Sequence, residues 1–389
     1  MVSPPPGSEL GTRGVERELA KLFGESLFGP WPELGQLPVR APPPRRGRRR
    51  TWLVIALVAA LATVFGINAV IRPGLARRSL DERAHFAQDL RRFLKDGDLE
   101  RVSRYIPLVR GGQEARPAAA HLDLVVRAEA AAYRYRDADP ERLRRIEPEL
   151  ATAFDPNASP DRLIAFLTVL SREERAARLP ELERLRDKIN DKMDRDSEPF
   201  YLLATALEQR GDVSAARRAW EASARLGPAW LVHRFEQADF ERQQGDAATA
   251  ANIARRMLEV DPQSAWSRLA IDAFGGKPDA LASAHEAGRG AQTPAPVEVF
   301  YERLLEGVDA AQKGDLRQAQ RSLQEAVDAV HGQAPFVLDA FDWLVAEHSQ
   351  VLARELTASP AWPLDSPVAR AKAKRLADAP FAEKAKRRP

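Results

Sequence analysis

The sequence predicts an all-α protein: a run of paired helices preceded by a single membrane-spanning helix. Three observations carry that expectation. Helix-favouring Ala, Leu, Arg and Glu dominate from residue 72 onward, with no alternation of apolar and polar residues of the kind a strand requires. Turn signals recur along the same stretch: Gly97-Asp98, Asp139-Pro140, Asp155-Pro156, Gly211-Asp212, Gly227-Pro228, Gly245-Asp246, Asp261-Pro262 and Gly314-Asp315. Gly closes a helix in the left-handed region, Asp caps the next, and Pro marks the boundary. Upstream, Thr51–Ile71 is an uncharged and mostly apolar stretch.

Residues 1–50 are rich in Pro and Gly, as disordered arms are, with polyproline at Pro4-Pro5-Pro6 and Pro42-Pro43-Pro44. Within this arm Val15, Leu19, Leu22, Phe23 and Leu27 share one helical face, and Gly29-Pro30 stops it. The short helix over 15–28 reads as a docking peptide for a cytosolic partner, as a helix lying on a membrane surface, or as nascent structure without a role.

A helix over Thr51–Ile71 matches the hydrocarbon thickness of a bilayer. Arg40, Arg45, Arg46, Arg48, Arg49 and Arg50 precede it, and Arg72, Arg77 and Arg78 follow. The excess before the span sets the N-terminus in the cytosol and the remainder across the membrane, and the cluster suits anionic lipid headgroups. Two alternatives are a buried core helix and a cleaved export signal. Arg49-Arg50-Thr51-Trp52-Leu53 is somewhat like a twin-arginine signal, but its n-region is long.

Two segments, Ser197–Pro228 and Leu231–Pro262, match at a fixed offset of 34 residues: Ala204 with Ala238, Gly211 with Gly245, Ala216 with Ala250, Pro228 with Pro262. A third unit centres on Gly314-Asp315, with Ala319, Leu323 and Ala326 spaced as Ala216, Trp220 and Ser223 are from Gly211. A degenerate unit fits between them, with helices over Trp266–Phe274 and Pro278–Ala287. Gly97-Asp98 joins a helix carrying Phe86, Leu90, Phe93 and Leu94 to one carrying Val102, Tyr105 and Ile106. Helices are expected near Ala118–Arg136, Glu141–Phe154, Asp161–Leu170 and Glu174–Met193, off the 34-residue register. The organisation is thus a disordered arm (1–50), a span (51–71), divergent helical repeats (72–196), two well-matched repeats (197–262), a degenerate and a repeat-like unit with a final helix (263–357), and a basic Pro-containing tail (358–389).

These repeats resemble the tetratricopeptide (TPR) family, whose 34-residue helix–turn–helix units stack into a right-handed α-solenoid. The resemblance implies a concave groove lined by the first helix of each repeat. Carried over position by position, the peptide-binding residues are Glu198, Tyr201, Thr205, Glu208 and Gln209, then Val232, Phe235, Asp239, Arg242 and Gln243. Tyr201 and Phe235 are expected to stand exposed as aromatic anchors for a peptide. Thr205 and Asp239 occupy the position where the family's carboxylate-clamp subclass carries Asn.

The chain has no cysteine, which excludes disulfide scaffolds, thiolate metal sites and a Cys nucleophile. Net charge is +3 overall, yet both termini are basic and the central bulk is acidic, which argues against nucleic acid as partner. No phosphate-loop, nucleophile-elbow or zinc-helix motif occurs. Gly275-Gly276-Lys277 lacks the first glycine of a phosphate loop, and the six His are scattered singly. Asp194–Glu198 and Asp137–Glu141 lack the turn glycine of a calcium loop. The expectation is a non-enzymatic, cofactor-free scaffold anchored in a bacterial inner membrane, with a periplasmic solenoid, serving an envelope assembly, secretion or motility complex. The alternative is a signal-transducing membrane subunit with a solenoid sensor and a cytosolic docking peptide. The basic run from Arg370 to Arg388 reads as a solvated tail, or as a segment folding back on an acidic groove or touching anionic lipid.

Overall fold

The Gly-Asp turns are where the chain's local chemistry is most repetitive. The computed structural model describes residues 72–111, 117–155, 158–191, 196–275, 294–347 and 349–378. In each of four turns the glycine lies in the left-handed region, at φ 72° for Gly97, 78° for Gly211, 85° for Gly245 and 83° for Gly314. The N–H of the following Asp reaches back five residues to a helix carbonyl: Asp98 to Phe93, Asp212 to Leu207, Asp246 to Glu241 and Asp315 to Ala310, at 2.9–3.0 Å. That same Asp then accepts the N–H of the third residue ahead, Arg101, Ala215, Thr249 or Gln318. One dipeptide thereby satisfies orphan groups at the end of one helix and the start of the next.

The chain divides into two units, 1–72 and 73–389. Within the second, the described residues are all-helical and contain no strand. The helices are α1 Arg72–Asp96, α2 Leu99–Arg110, α3 Leu122–Ala132, α4 Pro140–Leu150, α5 Pro160–Val169, α6 Arg172–Ala176, α7 Leu179–Asp191, α8 Glu198–Gln209, α9 Val213–Leu226, α10 Leu231–Gln243, α11 Ala247–Val260, α12 Ala265–Phe274, α13 Pro296–Gln312, α14 Leu316–Ala329, α15 Ala334–Ala346, α16 Gln350–Ala358 and α17 Pro367–Asp378.

Helix pairs α8/α9, α10/α11 and α13/α14 form close hairpins. Seven residues before each turn glycine stands a small residue: Ala204, Ala238 and Gly307. Five residues after it stands a buried alanine: Ala216, Ala250 and Ala319. Small residues let the two helices approach, and Leu203, Trp220, Phe240, Met257 and Leu323 fill the space around them. The expected helices over 118–193 are more broken than the sequence suggests. A 3₁₀ turn Ala119–His121 leads into α3, which ends in a π-turn Tyr133–Asp137 closed by Ala138 at φ 49°. The segment expected as one helix from Glu174 splits into α6 and α7, with Pro180 in the first turn of α7. The expected helix over Pro278–Ala287, the helix over 15–28 and the segment Thr51–Ile71 lie outside the described residues.

Among the described residues no helix is long and apolar enough to cross a membrane. The expected placement as a single-pass inner-membrane protein with a periplasmic solenoid is corrected accordingly. A span needs about 20 predominantly apolar residues. The longest described helix, α1, is instead interrupted throughout by charge, from Arg72, Arg77 and Arg78 to Arg91, Arg92, Lys95 and Asp96.

Candidate functional site

Helices α8 and α10 carry the residues expected to line an open groove, and the structure covers them with the chain's own segments. Tyr201 is 0% exposed and Phe235 3% exposed, so the expectation that both rings stand free as anchors is overturned. The Tyr201 ring stacks on His233 at 3.8 Å and meets Trp220 and Tyr135 edge-on. Its hydroxyl donates to Glu236 at 2.8 Å. Phe235 packs among Trp266, Phe274 and Tyr301, with ring centroids 5.3–5.6 Å away. Val232 is buried as well.

The polar members are tied into ion pairs. Glu198 is fully buried: its Oε2 accepts from Nε and Nη2 of Arg127 at 3.0 and 2.8 Å, and its Oε1 accepts from the Thr168 hydroxyl at 2.9 Å. Arg127 also meets Asp196 at 2.6 Å and Asp161 at 3.0 Å. Desolvation acts against its charge, but these three carboxylates outweigh it and hold the guanidinium firmly protonated. Thr205 is buried and accepts from Nη1 of Arg175 at 3.0 Å. Glu208 accepts from Nη1 of Arg172 at a long 3.4 Å, and burial pushes its carboxyl up to about 7. Asp239 accepts from Arg242 at 2.6 Å and from the Gln243 amide at 2.8 Å. Arg242 bridges onward to Glu347, with Nη1 3.1 Å from Oε2. Gln209 is half-buried at the end of α8. Arg45, Arg46, Arg48, Arg49 and Arg50 lie outside the described residues.

What covers this face comes from far along the chain. The π-turn after α3 buries Arg134, which pairs with Asp339 of α15 and lies 4.8 Å over the Phe336 ring. Asp339 also accepts the backbone N–H of Arg172 at 2.8 Å. The Arg172 guanidinium reaches Glu236 at 3.1 Å, and the Tyr301 hydroxyl donates to the same carboxylate at 2.9 Å. A network of buried Arg134, Arg175, Glu236, Asp339 and Tyr201 with half-buried Arg172 and Tyr301 therefore replaces the open groove. Its carboxylates are engaged by guanidinium or phenol groups, an arrangement suited to fixing helices against one another. Among the described residues no group of three or more potential metal ligands converges.

The basic C-terminal run does not reach the groove carboxylates with its described part. Residues 367–378 form α17, and Lys372, 2% exposed, inserts between Glu173 at 2.6 Å and Asp342. Arg375 adds a second contact to Glu173 at 2.9 Å.

Sequence reasoning missed Arg127, Arg134, Arg172, Arg175, Glu236, Tyr301 and Asp339. One signal was available: Asp339 is the lone charge in the apolar run Phe336–Phe341, where only a buried partner makes a carboxylate tolerable. The arginines carry no such mark, because amphipathic helices display arginine routinely. No protein-family model matches the chain, and no curated protein matches it.

Proposed function

We propose that this chain is a TPR-like α-solenoid that works as a protein-interaction scaffold, not as an enzyme, and that it engages its partner on its outer face. The observation that carries the reading is the recurrence of one hairpin at α8/α9, α10/α11 and α13/α14. Each has the same left-handed glycine, the same capping Asp and the same small residues at the helix contact. Stacked hairpins of this kind offer extended surfaces for other proteins. The inner face of α8 and α10 is already filled, which leaves the outer helices to meet a partner. Several apolar side chains stand exposed there and nearby: Val260, Leu316, Val351 and Leu364.

The test is site-specific photocrosslinking in the native cell, with a photoreactive amino acid at each of those four positions in the full chain. Discrete adducts of defined mass at one or more of them are expected. A complete absence of adducts at all four, with the chain folded, would overturn the scaffold reading.

A further inference from the structure

Between the repeats α8/α9 and α10/α11 lies an outer cleft of about 550 Å³. Its floor is apolar: Met257 and Ile253 are buried there, and Val260 stands 49% exposed at its edge. Three arginines line it from three helices, Arg225 of α9, Arg234 of α10 and Arg256 of α11. Among the described residues none of the three has a carboxylate within ion-pairing distance. This sets them apart from the arginines of the inner face, each held by one or more acids.

Three carboxylates also line the cleft, and none of them pairs with these arginines. Glu241 is committed to Arg217, whose Nε and Nη2 lie 3.0 and 2.7 Å from its two oxygens. Glu221 and Glu259 are exposed and contact none of the three arginines. Arg234 is half-buried, and among the described residues its side chain hydrogen-bonds from Nη1 to the neutral Gln237 oxygen at 2.9 Å. Burial and the neighbouring Arg256 charge both lower its pKa, as expected of a cation that lacks its counter-ion. A planar guanidinium in that state is suited to pairing with a carboxylate in bidentate fashion.

We propose that this cleft is a docking site for an acidic, partly apolar peptide segment of a protein partner, with its carboxylate between Arg234 and Arg256 and an adjacent apolar side chain against Val260 and the Met257 floor. The proposal rests on the scaffold reading and gives it a partner chemistry. An anionic group fits because it removes the repulsion between the two guanidiniums, and an apolar neighbour fits because the floor offers no polar partner.

The probe is a fluorescently labelled peptide of alternating glutamate and leucine, titrated into the full-length chain and followed by anisotropy. Saturable binding is expected, weakening at least about tenfold in the Arg234→Gln, Arg256→Gln double variant, as loss of charge-assisted pairs implies. It should weaken similarly when glutamine replaces glutamate in the peptide. Arg256→Gln alone, on an exposed side chain, guards against loss of the fold and should retain an intermediate effect with unchanged melting. Equal binding of the glutamine peptide, equal binding by the double variant, or no binding would each overturn the proposal. Crosslinking separates this failure from failure of the scaffold reading. Adducts at Leu316, Val351 or Leu364 with none at Val260 would sink the cleft alone; none anywhere would sink both.

Discussion

Removing the Asp339 carboxylate should cost more stability than almost any other single change in the described chain. Asp339 is 6% exposed and faces three sources of positive charge. Its Oδ2 pairs with Arg134, its Oδ1 accepts the Arg172 N–H at 2.8 Å, and Arg175 lies 3.9 Å away. Desolvation would raise its pKa, but the three arginines overcome that and hold it below the ordinary carboxylate range. Asp339→Ala strips Arg134, itself 4% exposed, of that partner. Breaking one side of a buried pair costs about 3–5 kcal/mol. For a unit of this size that is a drop of roughly 4–8 °C in melting temperature. Thermal and urea unfolding followed by circular dichroism measure it. Because the folded pKa is depressed, the stabilisation is present above the unfolded value, near 4, and is lost as pH falls through the folded one. Arg134→Met combined with Asp339→Leu removes both charges and should be less destabilising than Asp339→Ala alone, since Arg175 is then the one guanidinium left without this carboxylate, where the single variant strands Arg134 as well. A loss below about 1 kcal/mol for Asp339→Ala, or a double variant as damaged as the sum of its singles, would refute the reasoning.

Two further outcomes follow from the same packing. At Gly307 a methyl group would meet the Ala319 carbonyl at 3.4 Å and the Ser322 Cβ at 3.6 Å, ordinary contact distances. Gly307→Ala should therefore raise stability by about 0.5–1 kcal/mol through helix propensity, while Gly307→Leu should lower it by about 1–3 kcal/mol through overpacking, both read by urea unfolding. Glu208, pushed up to about 7 by burial, holds a proton that the unfolded chain releases near 4.5, so its contribution to stability falls as pH rises from about 4.5 to 7. Glu208→Gln should flatten that part of the stability–pH profile and stabilise the chain at pH 8; an unchanged profile would refute the assignment.

The hairpins were legible in the sequence because their chemistry is local. Gly211, Gly245 and Gly314 need a left-handed backbone, Asp212, Asp246 and Asp315 need only the next turn of helix, and Ala216, Ala250 and Ala319 report a neighbour within the same hairpin. The surroundings of the residues expected to line a groove on α8 and α10 were not legible, because what lies on them comes from elsewhere in the chain. Tyr201 and Phe235 occupy positions that are open in an unobstructed repeat. Whether they meet solvent depends on Tyr135, Arg175, Trp266 and Tyr301, and 34-residue periodicity carries no information about such distant contacts. The Arg127 cluster was hidden for the same reason: Glu198 lies 71 residues away, and each partner alone reads as a surface charge.

The Arg134–Asp339 and Tyr133–Phe336 contacts join points about 200 residues apart. They act on the repeats as a clasp acts on a string of beads. In an unclasped array each unit leans only on its neighbours, so units can be gained or lost at little cost to the rest. Here an inserted or deleted 34-residue unit would carry Asp339 out of register with Arg134 and leave both charges buried and alone. The clasp thus fixes the number of hairpins between them. Shortening the chain before α15 would not trim one end but uncover the ionic centre of the whole unit. Folding inherits the same asymmetry. Each hairpin closes over a loop of a few residues, whereas the clasp must close over hundreds, so it forms after the hairpins that present its two halves.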